Sequence, residues 1–338
     1  MTAKKIRVIQ FGVGPIGQEC ARWCLQNEGI ELVGAVDIDP EKAGKPLEVL
    51  IGIDEKTGIK ISPDVEKTLE HARPDVALHT TGSSLQAVFP QIETLCRSRV
   101  NVVSSTEELL VPELRNPDLA RKLNELATEC GVTVLGTGVN PGFVMDTLPL
   151  CLSSMCLEVR SIRVRRELDA GKRRLPLQKK VGVCLSPEEF QALKEQGRIG
   201  HVGLVESMDL LLQGLGWIPD RVLETLEPVV ADRELATDFL TVKQGEVCGI
   251  KHVARARKDE KDVVVLDLRM YIGAPESFDM VEIEGTPPIR AKFEGGIHGD
   301  RATVAALVNA IPRVKAAPPG LKTMKELALP YAFNAFRP

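Results

Sequence analysis

The run Ile6-Arg7-Val8-Ile9-Gln10-Phe11-Gly12-Val13-Gly14-Pro15-Ile16-Gly17 sets a strand-length apolar segment directly before G-x-G-x-x-G, and residues 15–26 continue it with helical character. Strand, glycine turn and helix in that order form the context in which this motif holds a dinucleotide. Gly12 permits the tight turn, Gly14 lets the backbone approach a pyrophosphate, and Gly17 lets the helix pack close to the sheet. Pro15 suits the first helical turn, where its missing N–H costs nothing. Pro15 and Ile16 open a helix whose N-terminus offers N–H groups and a positive dipole end to phosphates.

Working outward, residues 31–37 (ELVGAVD) read as a second strand and end on Asp37, 20 residues past Gly17. An acid there accepts hydrogen bonds from the adenosine ribose and repels a 2′-phosphate, which favours NAD. Asp39 adds to this, while Lys42 and Lys45 keep NADP open. Further strands are expected at residues 75–80, 100–104 and 132–136, with helices at 85–97 and 119–130. Strands separated by helices imply parallel pairing through right-handed crossovers, so the fold class is α/β with an N-terminal Rossmann doubly wound sheet.

The pattern changes after Asn140-Pro141-Gly142. Residues 237–242, 247–257 and 263–272 read as an antiparallel meander with a polar turn at 258–262, and helices are expected near 187–196 and 202–213. This predicts a second, α+β domain over 143–299 for substrate binding and dimerisation. The dinucleotide-binding domain spans 1–142 and is completed by about 300–338, where a helical pattern returns at 302–311. The prolines at 312, 318, 319, 330 and 338 suggest an ordered surface crossing.

The composition points to small-molecule chemistry. The 338 residues carry a net charge of −4, with no general attraction to nucleic acid or anionic membrane. No run of 18 apolar residues and no signal peptide is present, so a cytoplasmic protein without a membrane span is expected. The eight cysteines form no C-x-x-C pair and sit mostly in apolar segments, the pattern of buried free thiols. The five histidines are isolated, and no metal site is expected.

Ligands of such sheets sit at the carboxyl ends of the strands. His79-Thr80-Thr81-Gly82-Ser83 ends one strand, and Thr80, Thr81 and Gly82 would let a nicotinamide ribose come close; a plain turn with Ser83 as helix cap is the alternative. Ser104-Ser105-Thr106-Glu107-Glu108 follows the next. Glu107 or Glu108 is a candidate general base beside a nicotinamide, or simply an acid favoured at a helix start. Gly136-Thr137-Gly138-Val139-Asn140-Pro141-Gly142-Phe143 follows a third. Arg163, Arg165 and Arg166 alternate on a strand and read as a solvated face, and 172–180 as a solvated basic loop. His201 reads as a cap for the helix starting near Val202, and Cys248 as core.

Together G-x-G-P-I-G, S-S-T-E-E-L, G-T-G-V-N-P-G-F, G-H-V-G-L-V-E-S (200–207), H-G-D-R-A-T (298–303) and the run 309–324 resemble the 2,4-diaminopentanoate dehydrogenases and related native amine dehydrogenases, over essentially the whole chain. The resemblance implies a dihydrodipicolinate-reductase-like fold and a reversible reaction of an amine with NAD(P) and water to give a ketone or aldehyde and ammonia. It carries the activating glutamate onto Glu107 or Glu108. It sets Asn140, Gly142 and Phe143 beside the nicotinamide, and His201, His298 and Thr303 near the substrate or a homodimer contact. A simple ketone would need an apolar pocket involving Phe143, Met145 and Met208. Dihydrodipicolinate reductase itself is the nearest rival, but its paired histidines have no counterpart in Glu167-Leu168-Asp169-Ala170-Gly171-Lys172. A dinucleotide-sensing protein without turnover is the non-enzymatic alternative.

Overall fold

The computed structural model describes residues 4–333. The chain divides into two units, one comprising the residues up to Phe143 together with those from Gly299 onward, the other Val144–His298. In chain order the first unit begins with β1 (Ile6–Phe11), α1 (Pro15–Gln26), β2 (Ile30–Val36), α2 (Leu47–Ile51), β3 (Ile61–Ser62), α3 (Val65–Ala72), β4 (Val76–His79), α4 (Leu85–Arg97), β5 (Asn101–Ser104), α5 (Pro117–Cys130) and β6 (Thr133–Gly136). The second unit holds α6 (Thr147–Ser153), β7 (Glu158–Asp169), α7 (Leu175–Lys180), α8 (Pro187–Glu195), α9 (Leu204–Leu215), β8 (Arg221–Val230), β9 (Leu235–Ala236), β10 (Thr241–Val242), β11 (Val247–Lys258), β12 (Lys261–Tyr271), β13 (Phe278–Thr286) and β14 (Ile289–Glu294). The chain then returns to the first unit with α10 (Gly299–Ala316) and β15 (Gly320–Lys322).

The first unit is a seven-stranded, all-parallel sheet in the order β15-β6-β5-β4-β1-β2-β3. From β1 the chain builds outward through β2 and β3, then resumes on the other side of β1 with β4. The switch point therefore lies between β1 and β4, where a doubly wound sheet opens its ligand crevice. One face is sealed by α4 and α5, whose Leu85, Phe89, Ile92, Leu123 and Leu126 share a core with Ile9, Phe11, Ala77, Val102 and Val134. On the other face α10 lies over β4, β5 and β6 and packs against α1. Two strands escape the sequence reading: β3 and β15 are two and three residues long, too short to show alternation. Pro312 lies inside α10 rather than in a surface crossing; Pro338 lies outside the described residues.

The second unit is built on a six-stranded sheet, β14-β13-β7-β12-β11-β8, antiparallel except for β7–β12. The expected meander is corrected at its first member. Residues 237–242 do not join this sheet, and a separate β9–β10 hairpin forms there. Instead β8 pairs with β11. The β11–β12 turn holds Asp259 and Glu260 with φ of 48° and 60°, the twist a two-residue hairpin requires. One face of this sheet bears Ile162, Val164, Leu266, Leu268, Ile250 and Val281, all buried, and α9 packs on it. The other face alternates Arg165, Glu167, Asp267 and Arg269, linked by ion pairs.

The arginine stretch is not one solvated face. Arg163 is exposed, but Arg166 is 2% exposed. Its Nη1 donates to both oxygens of the fully buried Asp279 at 2.7 and 2.8 Å, and its Nη2 to the Ile297 carbonyl at 2.6 Å. Ile297 N–H returns a bond to Asp279 at 2.7 Å. Nor are residues 172–180 a solvated loop: α7 occupies most of them and Arg173 is buried. Four of the eight free thiols are buried, Cys248 among them, whereas Cys151 and Cys184 are exposed. Among the described residues no helix is long and apolar enough to cross a membrane, and no cluster of potential ligands could hold a metal.

Candidate active site

A single row crosses the first sheet. Val36 pairs with Phe11, Phe11 with His79, His79 with Ser104 and Ser104 with Gly136. The ladder continues one step further: Gly12 N–H bonds the Val36 carbonyl, Thr80 N–H that of Phe11, Ser105 N–H that of His79 and Thr137 N–H that of Ser104. Asp37, Gly12, Thr80, Ser105 and Thr137 thus leave the sheet side by side at its carboxyl edge. This brings the glycine loop, Thr80 to Gly82, the Glu107 loop and the 137–143 turn together.

The glycine loop is packed from below and open above. Gly12 has φ of 89°, and a Cβ there would lie 2.9 Å from the Thr80 carbonyl oxygen; at Gly17 it would lie 1.9 Å from that of Gly12. Thr80 Oγ1 donates to the Gly12 carbonyl at 2.9 Å, and the buried Gln10 Nε2 donates to the same carbonyl at 2.9 Å. Above Gly14 a Cβ would meet nothing within 4 Å. Gly14 caps α1, and Pro15 stands in its first turn. The open space above Gly14, the dipole end of α1 and the acid beyond β2 fit a dinucleotide pyrophosphate and its adenosine.

Asp37 is bound on three sides. Its Oδ2 accepts Val13 N–H at 2.7 Å and the Lys42 ammonium at 3.0 Å, and its Oδ1 accepts Asp39 N–H at 2.9 Å. Burial works to raise this carboxyl, but the two amides and the ammonium outweigh it and hold it below the ordinary value.

His79 is fully buried and anchors the middle of the row. Its Nδ1 meets Ser104 Oγ at 2.9 Å, and its Nε2 meets Gln91 Oε1 at 2.8 Å and Thr81 Oγ1 at 2.9 Å. Ser104 Oγ lies 2.9 Å from Thr106 Oγ1, which donates to the Gly82 carbonyl at 2.9 Å. Burial pushes His79 down to about 4, so the ring is neutral near pH 7. This network ties the Thr80–Gly82 turn to the loop that carries the glutamates. Sequence reading missed it because a histidine within an apolar strand shows no periodic signal.

The two glutamates part company. Glu108 Oε2 accepts Leu85 N–H, the first amide of α4, at 2.8 Å, and lies 3.4 Å from Asn116 Nδ2. That carboxylate performs the capping expected of Ser83; the residue at the cap position is Ser84, whose side chain makes no cap bond. Glu107 is half-buried at the start of the 3₁₀ turn Glu107–Leu109. At the end of β6 a Cβ on Gly136 would lie 2.5 Å from the Leu109 backbone, so the turn that follows Glu107 packs closely against this strand. Thr303, on α10, lies 3.8 Å from where a Gly138 Cβ would stand, which places it beside the 137–143 turn. Asn140 and Phe143 are half-buried and Gly142 is buried.

In the second unit Met145 and Met208 are fully buried core residues. Their neighbour Asp146 is also fully buried: its Oδ1 accepts Thr147 N–H at 2.5 Å and its Oδ2 accepts Ser207 Oγ at 2.7 Å. This joins the start of α6 to α9, so Ser207 of the 200–207 motif is a structural tie. His201 does not cap α9; Gly203 does, with φ of 110°. Burial first, then the charges of His252, Lys180 and Arg166, push His201 down to about 3. His298 stands between Ile297, held by the Arg166–Asp279 pair, and the first residue of α10.

Residues 143–337 match the model of the 2,4-diaminopentanoate dehydrogenase C-terminal domain. The chain is 32% identical to a 2,4-diaminopentanoate dehydrogenase of Acetoanaerobium sticklandii, covering 97% of this chain and 95% of the relative. It is 24% identical to an amine dehydrogenase of Streptomyces virginiae, with 96% of each covered. The structure of an amine dehydrogenase from Mycobacterium smegmatis superposes with a TM-score of 0.87 at 24% identity, covering 99% of each chain. With a domain match over more than half its length and this end-to-end relative, the chain belongs to the 2,4-diaminopentanoate dehydrogenase family and is an oxidoreductase acting on an amine.

Proposed function

We propose that the protein catalyses the reversible reaction R₂CH–NH₂ + NAD(P)⁺ + H₂O ⇌ R₂C=O + NH₄⁺ + NAD(P)H on a small amine, and that Glu107 is its general base. The observation that carries this is the placement of Glu107, half-buried at the start of the 3₁₀ turn that leaves β5 at the sheet's carboxyl edge, whereas the Glu108 carboxylate caps the first turn of α4. The dinucleotide, when bound, supplies the acceptor of the hydride. The 12–17 loop and the N-terminus of α1 hold its phosphates, and Asp37 faces its adenosine ribose. Thr80, Thr81 and Gly82 border its nicotinamide ribose, together with Asn140, Gly142 and Phe143. Glu107 takes a proton from water in the deaminating direction and returns one in the aminating direction. His201, His298 and Thr303 are proposed substrate neighbours.

2,4-Diaminopentanoate itself, the compound the A. sticklandii relative is named for, is favoured as substrate by one observation. Arg173 carries a buried guanidinium in the second unit. A buried guanidinium suits a substrate carboxylate. The test is spectrophotometric. Purified protein is given NAD⁺ or NADP⁺ with 2,4-diaminopentanoate or 2-aminobutane, and NADH or NADPH with ammonium and short ketones or aldehydes. Turnover of the diamino acid in preference to 2-aminobutane supports the carboxylate reading. No turnover with any of them, while the dinucleotide still binds, overturns the enzyme reading in favour of a dinucleotide sensor.

We further propose a homodimer formed through the second unit's charged sheet face, in the cytoplasm. Its alternating arginines and carboxylates would pair with a second copy of themselves. Sedimentation giving twice the 36.9 kDa chain mass supports this; a single chain mass at micromolar concentration overturns it.

A further inference from the structure

The acid beyond β2 does not act alone. A tight turn at 39–43, in which Lys42 and Ala43 N–H both bond the Asp39 carbonyl at 2.9 Å, folds the Lys42 side chain back onto Asp37. Its ammonium lies 3.0 Å from Asp37 Oδ2 and 3.3 Å from Asp39 Oδ2. Hydrogen bonds and charge from the two acids outweigh desolvation and raise its proton affinity, so it stays an ammonium.

A carboxylate offers about four lone-pair sites. On Asp37, Val13 N–H, Lys42 and Asp39 N–H take three of them. One remains, enough for a single ribose hydroxyl. The two-pronged hold on neighbouring 2′- and 3′-hydroxyls, by which an acid here selects NAD, is not available. Lys42 has three donors and spends two on Asp37 and Asp39, and a quarter of its side chain is exposed. Ile38, between the two acids, is 78% exposed and gives a flat apolar surface where an adenine would lie.

We propose that Lys42 is the specificity-determining residue of the adenosine site: it offsets the acid that would otherwise reject a 2′-phosphate and presents its remaining donor to that phosphate, so the protein accepts both NAD and NADP. This rests on the reading of the 12–17 loop as a dinucleotide site and extends it to the choice between the two.

The experiment is direct binding without amine or ketone, which separates it from the reaction. NADH and NADPH are titrated into the full-length chain and followed by their own fluorescence. The native chain is expected to bind the two within about tenfold of each other. Lys42→Met is expected to weaken NADPH relative to NADH by about tenfold or more, since a desolvated charge contact to a phosphate is lost. Asp39→Asn, which removes the charge of one of the two acids beside Lys42, is expected to shift the ratio toward NADPH. A native preference for NADH beyond about a hundredfold, or a ratio unmoved by both substitutions, overturns the proposal. Failure of the native chain to bind either dinucleotide overturns the site reading together with it.

Discussion

Leu85 donates its backbone N–H to the Glu108 carboxylate across 2.8 Å, so the side chain of one loop finishes the helix that follows another. Helix ends leave amides without partners, and a carboxylate is the preferred acceptor for one. Two adjacent glutamates of like sequence context are thereby sorted into different work. Glu107→Gln is expected to lower turnover by about 10²- to 10⁴-fold while dinucleotide affinity is retained. Glu108→Ala is expected to cost about 1 kcal/mol of stability through the lost cap, with a much smaller effect on turnover. Stopped-assay kinetics and urea unfolding of both variants check this; equal loss of turnover in the two would refute the assignment.

The glycines of one motif are expected to respond differently to the same methyl group. Gly17→Ala drives a Cβ into the Gly12 carbonyl oxygen, 1.9 Å away, against backbone that cannot step aside. It should destabilise the fold by about 1–3 kcal/mol or more. Gly14→Ala meets only open space, so its melting temperature should stay near the native one while NADH affinity falls. Thermal unfolding and NADH titration on the two proteins separate these outcomes.

Removing Asp279 would strand the Arg166 guanidinium, 2% exposed, without its carboxylate. Breaking a buried pair on one side costs about 3–5 kcal/mol. Asp279→Ala is therefore expected to lose that much in denaturant unfolding, and the double change Arg166→Met with Asp279→Leu to recover much of it. A single variant as stable as the native chain would show that the pair contributes little.

Acid should weaken the first unit through His79. Its folded value of about 4 lies below the unfolded value of about 6.5, so the unfolded chain takes up the proton first. The stabilisation from keeping this ring neutral is complete above about pH 6.5 and is lost as pH falls toward 4, roughly 3 kcal/mol in all. Denaturant midpoints at pH 7 and pH 4.5 should fall further for the native chain than for His79→Gln. Parallel acid sensitivity in the two proteins would rule this histidine out as the cause.

Local chemistry made the dinucleotide end of the site legible: β1, the glycine turn, α1 and Asp37 follow one another closely in the chain and each carries its own signal. The strands β4, β5 and β6 were legible as apolar runs between helices, and so was the meeting of their loops. What stayed hidden depends on partners far away in sequence. Arg166 and Asp279 are 113 residues apart, and alternation along β7 alone cannot tell a solvated arginine from one facing a buried carboxylate. Glu107 and Glu108 are indistinguishable until the start of α4 is seen to need an acceptor. Lys42 and Lys45 read alike as lysines that keep NADP open, until the 39–43 turn folds Lys42 back onto Asp37.

The chain enters its second unit at Val144 and re-enters the first at Gly299, where α10 covers β4, β5 and β6 and β15 extends the sheet beside β6. A ribosome makes these pieces last. During synthesis the segment up to Phe143 must therefore wait, with the β4–β6 part of one sheet face uncovered, while the whole intervening unit is produced. The half of the molecule that is read first is closed last, and its vulnerable interval in the cell lasts for some 150 residues of translation.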